Sequence, residues 1–147
     1  MEATDPCDGR RFNRSSLVPD RVALLPRRST QIGHDRILAA AVDVHKALGP
    51  GFLESIYQKA MEVALEHRGI PFQRQKEVQV VFEDVPVGLQ RLDLVADEQI
   101  ILELKAVKAF EDLHFAQLRS YLRATGLHVG LLLNFNAPTL AVKRVVL

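Results

Sequence analysis

Cysteine occurs once, at Cys7, and tryptophan not at all. A single thiol excludes an internal disulfide and cannot build a thiolate metal cage, which agrees with a reducing cytoplasm. No apolar run approaches the roughly 20 residues that span a bilayer, so no membrane partner is expected. A hydrophobic signal core is missing as well, because Arg10, Arg11 and Arg14 interrupt the first residues. The acids Glu2, Asp5, Asp8 and Asp20 argue against a transit peptide there. Excess charge of one sign is also lacking: 19 basic residues stand against 18 acidic ones. From His34 onward the balance is 13 basic to 14 acidic. With no basic bulk field, any nucleic-acid partner has to be held by a local site.

What is present is a chain of 147 residues, 48% hydrophobic, which suits one compact domain with a real core. Residues 1–33 carry Pro6, Pro19, Pro26, scattered Arg and Ser, and no steady period. They read as a flexible N-terminal extension, though a misassigned start codon would leave the same composition. The domain is expected over residues 34–147.

Within it, Ile37, Ala40, Ala41, Val44, Ala47 and Leu48 follow helical spacing, and Gly49-Pro50-Gly51 ends that helix. A second helix is expected over 53–68, with Leu53, Ile56, Tyr57, Ala60 and Ala64 as its buried stripe. The period then changes to two. Val78, Val80 and Phe82 alternate, residues 84–88 turn the chain at Pro86 and Gly88, and 89–96 is the next strand. Asp97-Glu98 makes a tight reversal into a strand over 100–107, giving an antiparallel meander. A third helix over 112–125 leads to an apolar strand over 128–135, the pattern of a strand covered on both faces. Strand, helix, strand implies a right-handed parallel crossover. Residues 143–147 read as a short edge strand. The order ααβββαβ(β) predicts an α/β or α+β fold around a mixed sheet.

Glu103-Leu104-Lys105 stands out in the apolar run from Gln99 to Val107. Strand side chains alternate, so Glu103 and Lys105 share a face. Buried charges are costly unless paired or bound to a metal. A turn centred on Asp97-Glu98 puts Asp93 opposite Leu102, within one residue of Glu103. Two carboxylates 4 Å apart repel by roughly 4 kcal/mol at an effective dielectric near 20, and a divalent cation would remove that repulsion. All-oxygen ligands suit Mg2+ or Mn2+, and such an ion activates water and stabilises charge on a phosphoryl oxygen. Singly, each residue has a plainer reading. Asp93 suits a strand-end turn, and Glu103 with Lys105 suits a surface ion pair. Glu54 suits a first-turn acid complementing the helix dipole, and Tyr57 a core aromatic. Gln117 and Tyr121, four apart on one helix face, suit a solvated Gln beside a packed Tyr. His45 suits a helix cap or core edge, His114 shares the face of Gln117, and Arg119 with Arg123 suits either phosphate contact or a solvated face.

Gly51-x-x-Glu54-x-x-Tyr57 resembles the signature of the GxxExxY protein family, placed in the PD-(D/E)xK nuclease superfamily. The likeness runs from about residue 34 to the C-terminus. It takes in Val44 to Glu54, Arg91-Leu92-Asp93, Glu103-Leu104-Lys105-Ala106, Gln117 to Tyr121 and Gly130 to Asn136. The resemblance implies a restriction-endonuclease-like αβββαβ core preceded by an extra helix. It also implies that Asp93 and Glu103 bind the metal, that Lys105 assists the water, and that Glu54 is the helix acid completing the site. Gln117 and Tyr121 look like the motif that follows ExK in some members and lines the active site. The usual proline directly before the Asp is absent here.

The expected function is therefore a Mg-dependent phosphodiesterase acting on nucleic acid, with DNA expected ahead of RNA. A homodimer or a specificity-conferring protein partner would supply what the small domain lacks. The competing expectation is a catalytically silent nuclease-fold module that binds nucleic acid or protein. A helix-turn-helix reader around Gly49-Pro50-Gly51 ranks last, because Glu54, Glu62 and Glu66 oppose a phosphate backbone.

Overall fold

A computed structural model describes residues 27–147, with side chains from Gly33 onward. Of the expected extension over 1–33, residues 1–26 lie outside the described residues and residues 27–33 are helical. The elements are α1 (Arg27–Leu48), α2 (Glu54–His67), β1 (Phe72–Phe82), β2 (Val85–Ala96), β3 (Ile100–Lys105), α3 (Asp112–Thr125), β4 (Val129–Asn134) and β5 (Ala141–Val146). Helix α1 is described from Arg27, seven residues before the expected His34. It ends where Gly49 turns left-handed at φ 70° and its N–H reaches His45 O at 2.8 Å.

One five-stranded sheet runs in the order β1-β2-β3-β4-β5. The first three strands form the expected antiparallel meander, β3 and β4 are parallel, and β4 and β5 are antiparallel. Alternation on β3 sorts the core into two layers. Ile100, Leu102 and Leu104 meet Ile37, Ala41 and Val44 of α1 and Tyr57, Met61 and Leu65 of α2. Ile101 meets Leu118, Tyr121 and Leu122 of α3 on the other face. Each fully buried Leu or Ile stabilises by roughly 1.5–3 kcal/mol, so apolar burial holds the sheet between its helices. Helix α3 lies close on β4: a Cβ on Gly130 would come within 2.7 Å of the Leu118 side chain. Helix α2 packs into this core with Glu62 itself buried, so it is no free recognition helix.

Several boundaries differ from expectation, β5 among them, which starts at Ala141 and not at 143, and Leu53 and Ile56 of the expected α2 stripe are exposed. Strand β1 begins at Phe72, not at Val78, because the polar stretch Gln73 to Glu77 forms the sheet edge, where alternation is weak. The first hairpin turns at Glu83-Asp84, both left-handed at φ 49° and 66°, and not over 84–88. Pro86 and Gly88 instead lie in β2, where β3 does not reach and no ladder partner needs a proline N–H. The hairpin thereby projects as a two-stranded arm that exposes Val81, Phe82, Val85, Val87 and Leu89. Strand β3 stops at Lys105. The second hairpin turns at Asp97-Glu98 as expected, both left-handed at φ 56° and 59°. No helix among the described residues is long and apolar enough to cross a membrane.

Candidate functional site

Strand β2 pairs with β3 only through Leu94↔Leu102, Val95↔Ile101 and Ala96↔Ile100. That register puts Asp93 opposite Glu103, one residue from the expected Leu102. Here the two strands exchange side-chain bonds in place of ladder bonds. The Asp93 N–H donates to Glu103 Oε1 at 3.4 Å, and the Leu104 N–H donates to Asp93 Oδ2 at 3.0 Å. Each carboxylate satisfies an amide that the splayed strand leaves unpaired.

Both acids are held away from water. Glu103 is 4% exposed and Asp93 is half-buried. Burial first, then the neighbouring Asp93 charge, pushes the Glu103 carboxyl up to about 8, against the partial relief of Lys105. Burial also raises Asp93, opposed by the Leu104 amide and Lys105 and reinforced by Glu54. Lys105, one pleat on from Glu103, sets its Nζ 4.0 Å from Glu103 Oε2 with a side chain 16% exposed. The ion pair is loose, leaving the ammonium free to serve another anion.

Glu54 arrives from a different element. Left-handed Gly49 and Gly51 turn the chain between α1 and α2. Tyr57 closes that turn: its hydroxyl donates to Gly49 O at 2.5 Å and accepts the Phe52 N–H at 3.1 Å. Its ring stacks on Phe135 at 4.7 Å. Glu54, in the first turn of α2, then accepts the Ala106 N–H at 3.3 Å, just beyond the end of β3. On the other side, Tyr121 of α3 is buried, and burial followed by the charges of Glu103 and Asp93 pushes its hydroxyl up to about 12. It stays protonated and offers a donor. Gln117, half-buried, precedes Tyr121 by one helical turn and makes no hydrogen bond to the acids.

The fold thus gathers Asp93, Glu103, Lys105, Glu54 and Tyr121 at the end of β3, with Gln117 at the margin. The other candidates lie elsewhere. His45 is buried and bonds Ala137 O at 2.8 Å. His114 Nδ1 accepts the Glu111 N–H at 3.0 Å and caps α3. Arg119 and Arg123, two positions on from Gln117 and Tyr121, are exposed on the far side of that helix.

Sequence reasoning assigned no role to Asn134, which is 2% exposed. Its Oδ1 accepts the N–H groups of Val107 and Asn136, both at 3.1 Å, and its Nδ2 donates to Val107 O at 2.8 Å. The clamp fixes the segment whose Ala106 N–H meets Glu54. A polar residue closing the apolar run Leu131-Leu132-Leu133 was its only signal. Replacing Asn134 by Ala leaves buried amide and carbonyl groups unpaired and is expected to cost about 1–3 kcal/mol, readable by urea unfolding.

A cation fits this donor set in part. Among the described residues no three His, Cys, Asp or Glu side chains form a ready-made cage. Two oxygen-donor carboxylates, both raised in pKa first by burial, with Asp93 raising Glu103 further and Glu54 raising both, nevertheless match a hard divalent ion. Such ions, magnesium above all, are commonly held by one or two carboxylates plus substrate phosphate.

A family model described as the PD-(D/E)XK nuclease superfamily matches residues 31–145. No curated protein and no solved structure matches the chain significantly.

Proposed function

The chain belongs to the PD-(D/E)XK nuclease superfamily, and from that membership we propose that it is a divalent-metal-dependent phosphodiesterase hydrolysing a nucleic-acid backbone. The observation that carries the proposal is the facing pair Asp93 and Glu103 with Lys105 beside it, bound through each other's strand amides. Asp93 and Glu103 would hold Mg2+ or Mn2+, with Glu54 adding negative charge from α2. When bound, the ion supplies an activated water and charge stabilisation at phosphorus. The Lys105 ammonium orients the attacking water and neutralises charge developing on the phosphoryl oxygens. Tyr121 sets a protonated hydroxyl within electrostatic reach of the acids, and Gln117 borders the substrate's approach.

The finer placement in the GxxExxY family rests on Gly51, Glu54 and Tyr57. It is supported by the way Tyr57 closes the turn that presents Glu54. DNA is the first substrate to assay and RNA the second. A near-neutral domain has little long-range pull on phosphate, so a second copy or a partner protein is proposed to supply affinity and specificity.

Cleavage of linear, circular and single-stranded substrates, with and without Mg2+, tests the reading. Asp93→Ala is expected to abolish cleavage while the far-ultraviolet circular dichroism stays native. An active Asp93→Ala protein would remove the proposed metal role. Wild-type protein that binds nucleic acid but cleaves none of these substrates would make the chain a binding module.

A further inference from the structure

The β1 residue level with Asp93 has an unusual backbone. Gln75 of β1 has φ 48°, and it is the only left-handed non-glycine residue within a strand among the described residues; the others sit in the two hairpin turns. The β1–β2 register passes from Arg74↔Leu94 to Lys76↔Leu92 and omits the pair Gln75 and Asp93 between them. At this level both strands change faces. Leu94 packs with α1 and α2, whereas Leu92 and Val78 pack with α3. Strict alternation would have placed Leu92 and Leu94 on one face. Helix α2 secures this residue. Gln75 Nε2 donates to Gln58 Oε1 at 2.9 Å, Gln58 Nε2 donates to Glu62 Oε2 at 3.2 Å, and Arg74 Nε lies 3.3 Å from Glu62 Oε1. Gln58 and Glu62 follow Glu54 at four-residue steps, so the face of α2 that presents Glu54 also holds Gln75.

We propose that Gln75 is a positioning residue: its left-handed backbone interrupts the β1–β2 ladder level with Asp93, and that interruption sets the angle at which the carboxylate reaches the Leu104 amide beside Glu103. The metal-binding consequence rests on the proposed function; the positioning itself does not.

The test compares Gln75→Gly, Gln75→Ala and Gln75→Val. All three lose the bond to Gln58, but only Gly accepts a left-handed backbone freely, and a β-branched residue opposes it most. The first readout is native-state hydrogen exchange at the Leu104 amide, which bonds Asp93 Oδ2, normalised to the Leu132 amide of β4. Gln75→Gly is expected to keep the wild-type ratio, and Gln75→Val to lose about tenfold of it, with Gln75→Ala between them. Mn2+ affinity, read by electron paramagnetic resonance, is expected to follow the same order. If Gln75→Val does not fold, the Ala and Gly variants, which differ by one methyl, decide the matter. Equal Leu104 protection in Gly and Ala, or a loss in Gly as large as in Ala, overturns the proposal. Wild-type protein that binds no Mn2+ removes the metal reading of the cluster and leaves the exchange result to judge Gln75.

Discussion

Lys105→Ala is expected to lower cleavage by about a hundred- to thousandfold, the usual loss when one preorganised donor to a developing charge is removed. Mn2+ affinity should stay the same or rise slightly. The two readouts separate because Lys105 offers no ligand atom to a cation and carries a like charge. Its Nζ is 4.0 Å from Glu103 Oε2, too far for a strong ion pair, so its removal leaves no tightly bound carboxylate without a partner. The measurement belongs above about pH 8, because Lys105 helps hold down the Glu103 carboxyl and its loss favours the protonated acid. Lys105→Arg should recover little: a planar guanidinium keeps the charge but not the compact point donor. Undiminished cleavage by Lys105→Ala would deny the ammonium any part in the chemistry. Loss of Mn2+ binding would mean that Lys105 organises the acids and does not act on the substrate.

How far this pocket could be read from sequence depended on which contacts are local. The limits of α3 followed from Asp112 and Gly126, with the glycine left-handed at φ 78°. The Asp97-Glu98 turn fixed the neighbourhood of Asp93 and Glu103 to within one residue. Alternation along Ile100 to Lys105 placed Glu103 and Lys105 on one face. The missing part was long-range. Gln73 to Glu77 is too polar to announce a strand, and nothing local marks Gln75 for a left-handed backbone; its anchor, Gln58, is on α2. Pro86 and Gly88 signalled a turn because their tolerance in an arm without a β3 neighbour depends on tertiary context. Asn134 carried no assigned role because its three bonds, to the segments after β3 and β4, depend on tertiary placement.

Metal-free protein is expected to lose thermal stability as pH rises, and Glu103→Gln is expected to flatten that decline. Burial and the facing Asp93 raise the Glu103 carboxyl from 4.5 to about 8 in the folded chain. An acid with a raised folded pKa favours folding while protonated. Its contribution is whole below the unfolded value near 4.5, shrinks as the unfolded chain ionises, and is gone once pH passes about 8. The amide introduced by Glu103→Gln stays neutral throughout, so the variant should be the more stable form at the alkaline end. Mn2+ is expected to reverse the trend for wild type, because an ion held by Asp93 and Glu103 would offset the repulsion that protonation otherwise removes. At a free concentration of 100 times its dissociation constant it adds about 2.7 kcal/mol, a gain expected above pH 8 and absent at pH 5, where protons occupy the site. Glu103→Gln should show little of this gain at any pH. Scanning calorimetry of both proteins across this range, with and without Mn2+, reads all four curves. A wild-type melting temperature that stays flat from pH 5 to pH 8 without metal would mean that Glu103 ionises normally, and that the two acids are not the strained pair whose repulsion a cation relieves.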